Sequence, residues 1–311
     1  MSKISIIIPT YNSEKTIEET ITSLQQQSFT DYEIIVIDDG SQDNTIKVVK
    51  SIVEPRLQLF SYENGGVATA RNRGIAHATG EFIAFLDADD LWSPDKLALQ
   101  IEALYQNPEA KVVYSWTNYI DEQGKPLFSG TRYFYRGNVY QQLLQTNFLT
   151  NASNILVHRD VLDLVPGFDP KLAYTADWDF YLRLAKNFNF VVVPKFQIYY
   201  RQSVNSMSTK IEQLKKESLL LLDRVYQTAT IKLKRQKNRS YSILYLYCAD
   251  LYRKKISINN RKSLVSAKQN LKTSILLYPQ SLLQINTQRL LIKLILSELY
   301  FIAPVKFLSK L

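Results

Sequence analysis

Asp87, Asp89 and Asp90 close an apolar run at residues 82–86, and carboxylates set so near one another repel. A hard, oxygen-ligated cation such as Mg2+ or Mn2+ relieves that repulsion, and an ion so held can take the two phosphates of a nucleotide and neutralise a departing group. The same cluster also reads as a solvated turn in which one acid caps the helix that follows Ser93 and Pro94. Asp38-Asp39-Gly40-Ser41 closes a second run. A carboxylate there can accept the ring N–H of a nucleobase, or the Asp-Gly step can simply turn the chain. Tyr11 can stack on that base or pack as an ordinary aromatic. Asn64-Gly65-Gly66 lets backbone approach a phosphate or sugar, with Arg71 beyond it as a forked donor. Asp177 stands beside Trp178, where an apolar wall would raise a carboxyl toward the pKa of a general base; the alternative is an acid stabilising a helix N-terminus.

Each of these groups follows an element that would have to position it. Apolar runs at 4–8, 32–38, 57–61 and 82–86 alternate with helical patterns at 14–26, 45–51 and 68–78, the first capped by Asn12 or Ser13. That alternation predicts a parallel sheet with crossover helices, and ligands of such sheets bind beyond the carboxyl ends of the strands. Further strands are expected at 112–116, 154–158 and 191–200, with a helix over 178–186. From Ile211 the pattern is almost wholly helical and glycine disappears. The boundary falls near 203–208, giving a catalytic region 1–204 and a basic helical region 205–311.

Charge divides the same way. The net +9 of the 311 residues conceals 18 Lys/Arg against 24 Asp/Glu in 1–204, and 20 against 5 in 205–311. An acidic front suits a cation site, and a basic back attracts phosphates. The basic helices read either as a membrane-facing surface or as a bundle with a solvated basic face; no nucleic-acid motif is present. No apolar run reaches the roughly 18 residues of a membrane span, and the start lacks the longer apolar core of a signal peptide. A cytoplasmic location is expected, peripheral at the inner face of the membrane if the basic helices are the membrane-facing surface. Cys248 is the only cysteine, which rules out an intrachain disulfide and suggests a buried thiol. There is neither Gly-x-Gly-x-x-Gly nor a phosphate-binding Gly-Lys-Ser/Thr loop, which disfavours dehydrogenase and kinase chemistry. His77 and His158 lie outside every acidic motif, so a zinc site is not expected.

Taken in order, residues 7–12, 38–41, 64–74, 85–90 and 176–179 resemble the motif series of family 2 glycosyltransferases over about residues 3–204. The resemblance implies an α/β, GT-A-like fold: a mostly parallel twisted sheet flanked by helices, followed here by the C-terminal helical region. It implies that Pro9, Thr10, Tyr11, Asp39, Asn64 and Arg71 line the nucleotide-sugar pocket, with a leaning to uracil. Asp87 would lie nearer the ribose, Asp89 would be the direct ligand of Mn2+ or Mg2+, and Asp177 the catalytic base. Arg201, with residues 206–208, resembles a segment that closes over the diphosphate. Many relatives carry Glu before that Asp where Ala176 stands here, which bears on the acceptor. The polymerising members' Gln-x-x-Arg-Trp signature is absent, so transfer of one sugar per encounter, with inversion, is expected from a nucleoside-diphosphate sugar to a glycan or lipid-linked acceptor. A binding or scaffold protein of the same fold, and a nucleotidyltransferase, are the rival readings.

Overall fold

The computed structural model describes residues 3–203, 210–257 and 260–302. The chain divides into two compact units, Met1–Leu143 with Asn147–Val204, and Leu144–Thr146 with Asn205–Leu311.

The first unit is built on strands β1 (Ile4–Thr10), β2 (Tyr32–Asp38), β3 (Leu57–Ser61), β4 (Phe82–Phe85), β5 (Leu91–Trp92), β6 (Ala110–Ile120), β7 (Pro126–Ser129), β8 (Leu156–His158) and β9 (Asn189–Arg201). Helices α1 (Ile17–Gln25), α2 (Thr45–Ser51), α3 (Val67–His77), α4 (Lys96–Gln106), α5 (Tyr140–Gln145) and α6 (Ala176–Asn187) connect them. β1 and β2 are buried along their whole length, as strands covered on both faces must be, which is why they read as unbroken apolar runs. The sheet runs β3-β2-β1-β4-β8-β6-β9-β5, with β7 on β6. It is parallel from β3 to β4 and between β6 and β9, while β8 lies antiparallel between β4 and β6.

Register does the positioning. Thr10 is level with Asp38, Asp38 with Ser61, and Ile7 with Phe85, so the residues after β1, β2, β3 and β4 emerge along one edge. Gly40 turns there at φ +82°, and a Cβ on it would lie 3.0 Å from the backbone nitrogen of Asn64. The turn is therefore real, whatever else Asp39 does.

Three local expectations need correction. α1 begins at Ile17, not at 14, and neither Asn12 nor Ser13 caps it. Asn12 sits at φ 50° and accepts from Gln42 N at 2.8 Å, so its side chain fastens two loops together instead. Asn154 ends a short 3-10 turn rather than opening β8, because its amide is drawn to the backbone of Ser115 and Leu149. β6 extends to Ile120, well past the expected 112–116, since its long parallel pairing with β9 holds polar residues in strand geometry.

The second unit consists of α7 (Ile211–Thr228), α8 (Ile231–Lys234), α9 (Lys237–Lys254), α10 (Arg261–Leu277) and α11 (Ile285–Ile302). Ala249, Leu264, Ala267, Leu271, Leu290 and Leu294 form its core. Ser242 and Ser274 exchange hydrogen bonds with each other's carbonyls at 2.9 and 2.7 Å, which ties α9 to α10. Burial pushes the Cys248 thiol up to about 12, so it stays protonated. No helix among the described residues is long and apolar enough to cross a membrane.

Candidate active site

Beyond the carboxyl ends of the parallel strands, Arg71 is the hub. It projects from α3, which lies against β1 because Gly74 leaves no Cβ; one there would stand 2.2 Å from Ile7 Cγ2. Arg71 Nη2 donates to Asp87 Oδ1 at 2.5 Å. The guanidinium is almost completely buried, and although burial opposes its charge, Asp87 and then Asp177 hold it fully protonated. Arg71, Asp87 and Asp177, far apart in sequence, thus share one electrostatic cluster.

Asp177 stands in the first turn of α6 and accepts from Asn147 Nδ2 at 3.1 Å. α6 is pinned there by Trp178 Nε1, which donates to the Leu143 carbonyl at 2.8 Å, and by the Tyr181 hydroxyl, which donates to the Asn151 carbonyl at 2.8 Å. Burial raises the Asp177 carboxyl to about 6 against the opposing charge of Arg71. The side chain is therefore a stronger base than an ordinary aspartate, and still ionised at neutral pH.

Asp89 is likewise raised to about 6, by burial and then by the charge of Asp87. Asp90 is fully buried, rises well above the ordinary range, and accepts from Ser153 Oγ at 2.5 Å and Arg201 N at 3.0 Å. Among the described residues no group of three or more His, Cys, Asp or Glu side chains is arranged as a metal cage. The repelling pair Asp87 and Asp89 does fit an Mg2+ or Mn2+ that completes its shell with phosphate oxygens and water.

The residues expected to line a nucleotide-sugar pocket are more varied in their surroundings. Pro9 and Thr10 are buried, and Tyr11 is half exposed at the rim. Thr10 Oγ1 and Arg71 Nε are buried without a hydrogen-bond partner among the described residues. Asp39 accepts from Gly65 N at 3.0 Å, Gly66 N at 2.8 Å and Arg73 Nη1 at 2.9 Å, while Asn64 Nδ2 donates to the Asp39 carbonyl at 2.9 Å. Asp39 thus organises the glycine loop. Arg201 is held by the protein: Nε donates to the Asp89 carbonyl at 2.8 Å, Nη1 to the Glu122 carbonyl at 3.0 Å, and Nη2 to Glu19 at 2.6 Å. A role on the diphosphate requires it to exchange some of these partners. Residues 206–208, expected to close over the site, lie outside the described residues.

Asn147, Ser153 and Glu19 were not singled out from the sequence. Nothing local marks Asn147 or Ser153; Glu19 is one of two acids in the first turn of α1, and only the fold brings it to Arg201. Both histidines are occupied elsewhere, His77 stacked on Phe60 and bonded to Tyr62, His158 beside Asp160.

The family profile described as glycosyltransferase like family 2 matches residues 5–251. An uncharacterized glycosyltransferase of Rickettsia felis is 41% identical over 149 residues, 47% of this chain and 24% of that protein. An Escherichia coli UDP-Glc:alpha-D-GlcNAc-diphosphoundecaprenol beta-1,3-glucosyltransferase, WfgD, is 40% identical over 117 residues, 37% of this chain and 45% of its own. The chain thus spans less than half the length of these relatives. Among solved structures, S. aureus TarS 1–349 in complex with UDP-GlcNAc aligns over 95% of this chain and 89% of its own at TM-score 0.63 and 20% identity. A Pyrobaculum calidifontis mannosyltransferase in complex with GDP-Man and Mn2+ aligns over 96% and 86% at TM-score 0.60 and 17% identity. These two likenesses show the fold.

Proposed function

The chain belongs to glycosyltransferase family 2, and we propose that it moves one sugar from a nucleoside-diphosphate sugar, with UDP as the favoured nucleotide, to a hydroxyl of a glycan or lipid-linked acceptor with inversion. The observation that carries the reading is the cluster of Arg71, Asp87 and Asp177 at the carboxyl edge of the parallel strands. WfgD, whose name specifies a UDP-glucose donor and a lipid-diphosphate acceptor, supports that choice of substrates.

Asp177 takes the proton of the acceptor hydroxyl as its oxygen attacks the anomeric carbon. The bond from that carbon to the diphosphate oxygen breaks on the opposite face, and the electron pair leaves with the nucleoside diphosphate. Arg71 holds Asp87 in place and keeps Asp177 ionised at neutral pH, while Asn147 orients its carboxylate. Asp89 and Asp87 would hold Mg2+ or Mn2+, which when bound neutralises charge on the departing diphosphate. Thr10 and Tyr11 face the nucleoside, and Asp39 fixes the glycine loop beside it.

A thermal-shift series with UDP, GDP, CDP and dTDP, each with Mn2+ and with EDTA, tests this. A diphosphate at 100 times its Kd adds about 2.7 kcal/mol of stability. Selective stabilisation by one of them, lost in EDTA, is expected. No response to any would return the front unit to a scaffold role, and stabilisation by triphosphates with pyrophosphate release would assign nucleotidyl transfer.

A further inference from the structure

α11 is apolar on two opposite faces. Leu290 and Leu294 are buried in the core of the second unit. On the other side Ile285, Ile292, Ile295, Leu296 and Leu299 recur at helical spacing and are between 48% and 60% exposed. A helix whose only task is to close a bundle needs the first face and not the second. The exposed stripe is roughly 20 Å long at the rise of an α-helix, and Arg289 and Lys293 stand exposed along one flank of it. Glu298, the single acid of the helix, is paired with Lys268 at 2.6 Å.

Charge decides what covers such a stripe. Residues 205–311 carry 20 Lys/Arg against 5 Asp/Glu, so a second copy of this unit would bring like charge to like, whereas an anionic bilayer brings the opposite sign. No described helix can span the bilayer, so the helix has to lie in the surface plane, its apolar stripe in the acyl boundary and its cations among the headgroups. We infer that the outer face of α11 is a docking surface for an anionic lipid membrane, with Ile292, Ile295 and Leu296 as its apolar centre and Arg289 and Lys293 as its headgroup contacts. The inference goes beyond the proposed transferase activity and does not depend on it.

Co-sedimentation of the full chain with vesicles of phosphatidylcholine alone, or of phosphatidylcholine with one quarter phosphatidylglycerol, tests it. Binding to the anionic vesicles that weakens as salt rises is expected, with little binding to the neutral ones. Ile292→Glu with Leu296→Glu should reduce binding at least tenfold. Arg289→Gln with Lys293→Gln, which leaves the apolar stripe intact, should reduce it by roughly fivefold per residue. Unchanged melting temperatures establish that the variants fold. Absence of binding to anionic vesicles, or binding that neither pair of substitutions alters, would overturn the inference. So would a dimer in sedimentation velocity, without lipid, that the glutamate pair dissociates.

Discussion

Arg71 lies between two carboxylates with different tasks: it donates to Asp87 at 2.5 Å, and its charge opposes the upward shift of the Asp177 pKa. In the proposed reaction one buried cation therefore bears on both the phosphate side and the acceptor side of the site. Arg71→Met removes it. Asp87 is then left without its partner, and Asp177 loses the opposing charge, so the acid limb of the pH–rate profile moves up by about one unit. The profile of kcat/KM, compared with wild type, reads this; a limb that stays in place would separate Arg71 from Asp177.

Wild-type turnover should rise with pH through about 6 as Asp177 ionises. The same shift acts on stability with the opposite sense. Because the folded carboxyl holds its proton more tightly than the unfolded one, its contribution is present below the ordinary carboxylate range and is lost as pH rises through about 6. Asp177→Asn cannot ionise, so that chain should be more stable than wild type at pH 8, on the order of 1 kcal/mol for a half-buried group. The difference should shrink toward zero at pH 4. Melting curves at the two pH values check both points.

How far the site was legible follows from how local each signal is. β1, β2 and β3 are short buried strands, so their apolar runs mark them, and parallel register then brings their following residues to one edge. Asp39 and Asp87 could be picked out for that reason, Arg71 by the glycine pair before it, and Asp177 by Trp178 beside it and by the motif series it completes. Asn147, Ser153 and Glu19 could not, because each becomes functional only through a partner distant in sequence. The antiparallel insertion of β8 between β4 and β6 has no local signature either. The start of α1 was misread because Asn12 suits a cap by type, yet its side chain serves the Gln42 loop.

Asp89→Ala should abolish the part of nucleotide affinity that depends on Mn2+, leaving the residual affinity seen with EDTA. Titration calorimetry of the favoured nucleoside diphosphate with and without Mn2+ measures it. Equal Mn2+ dependence in variant and wild type would remove Asp89 from the cation site.

Gly74→Ala tests the scaffold. A Cβ placed 2.2 Å from Ile7 Cγ2 forces α3 from β1, a loss of roughly 1–3 kcal/mol in urea unfolding. Because α3 carries Arg71, turnover should fall more than nucleotide affinity. A variant as stable as wild type would mean that the helix has room to shift.

The most direct test of the account compares wild type with Asp177→Asn, using the donor identified by the nucleotide series. General-base removal predicts a fall in kcat of at least about 100-fold, with the Kd of the nucleoside diphosphate in Mn2+ essentially unchanged. Turnover by Asp177→Asn at the wild-type rate would contradict it.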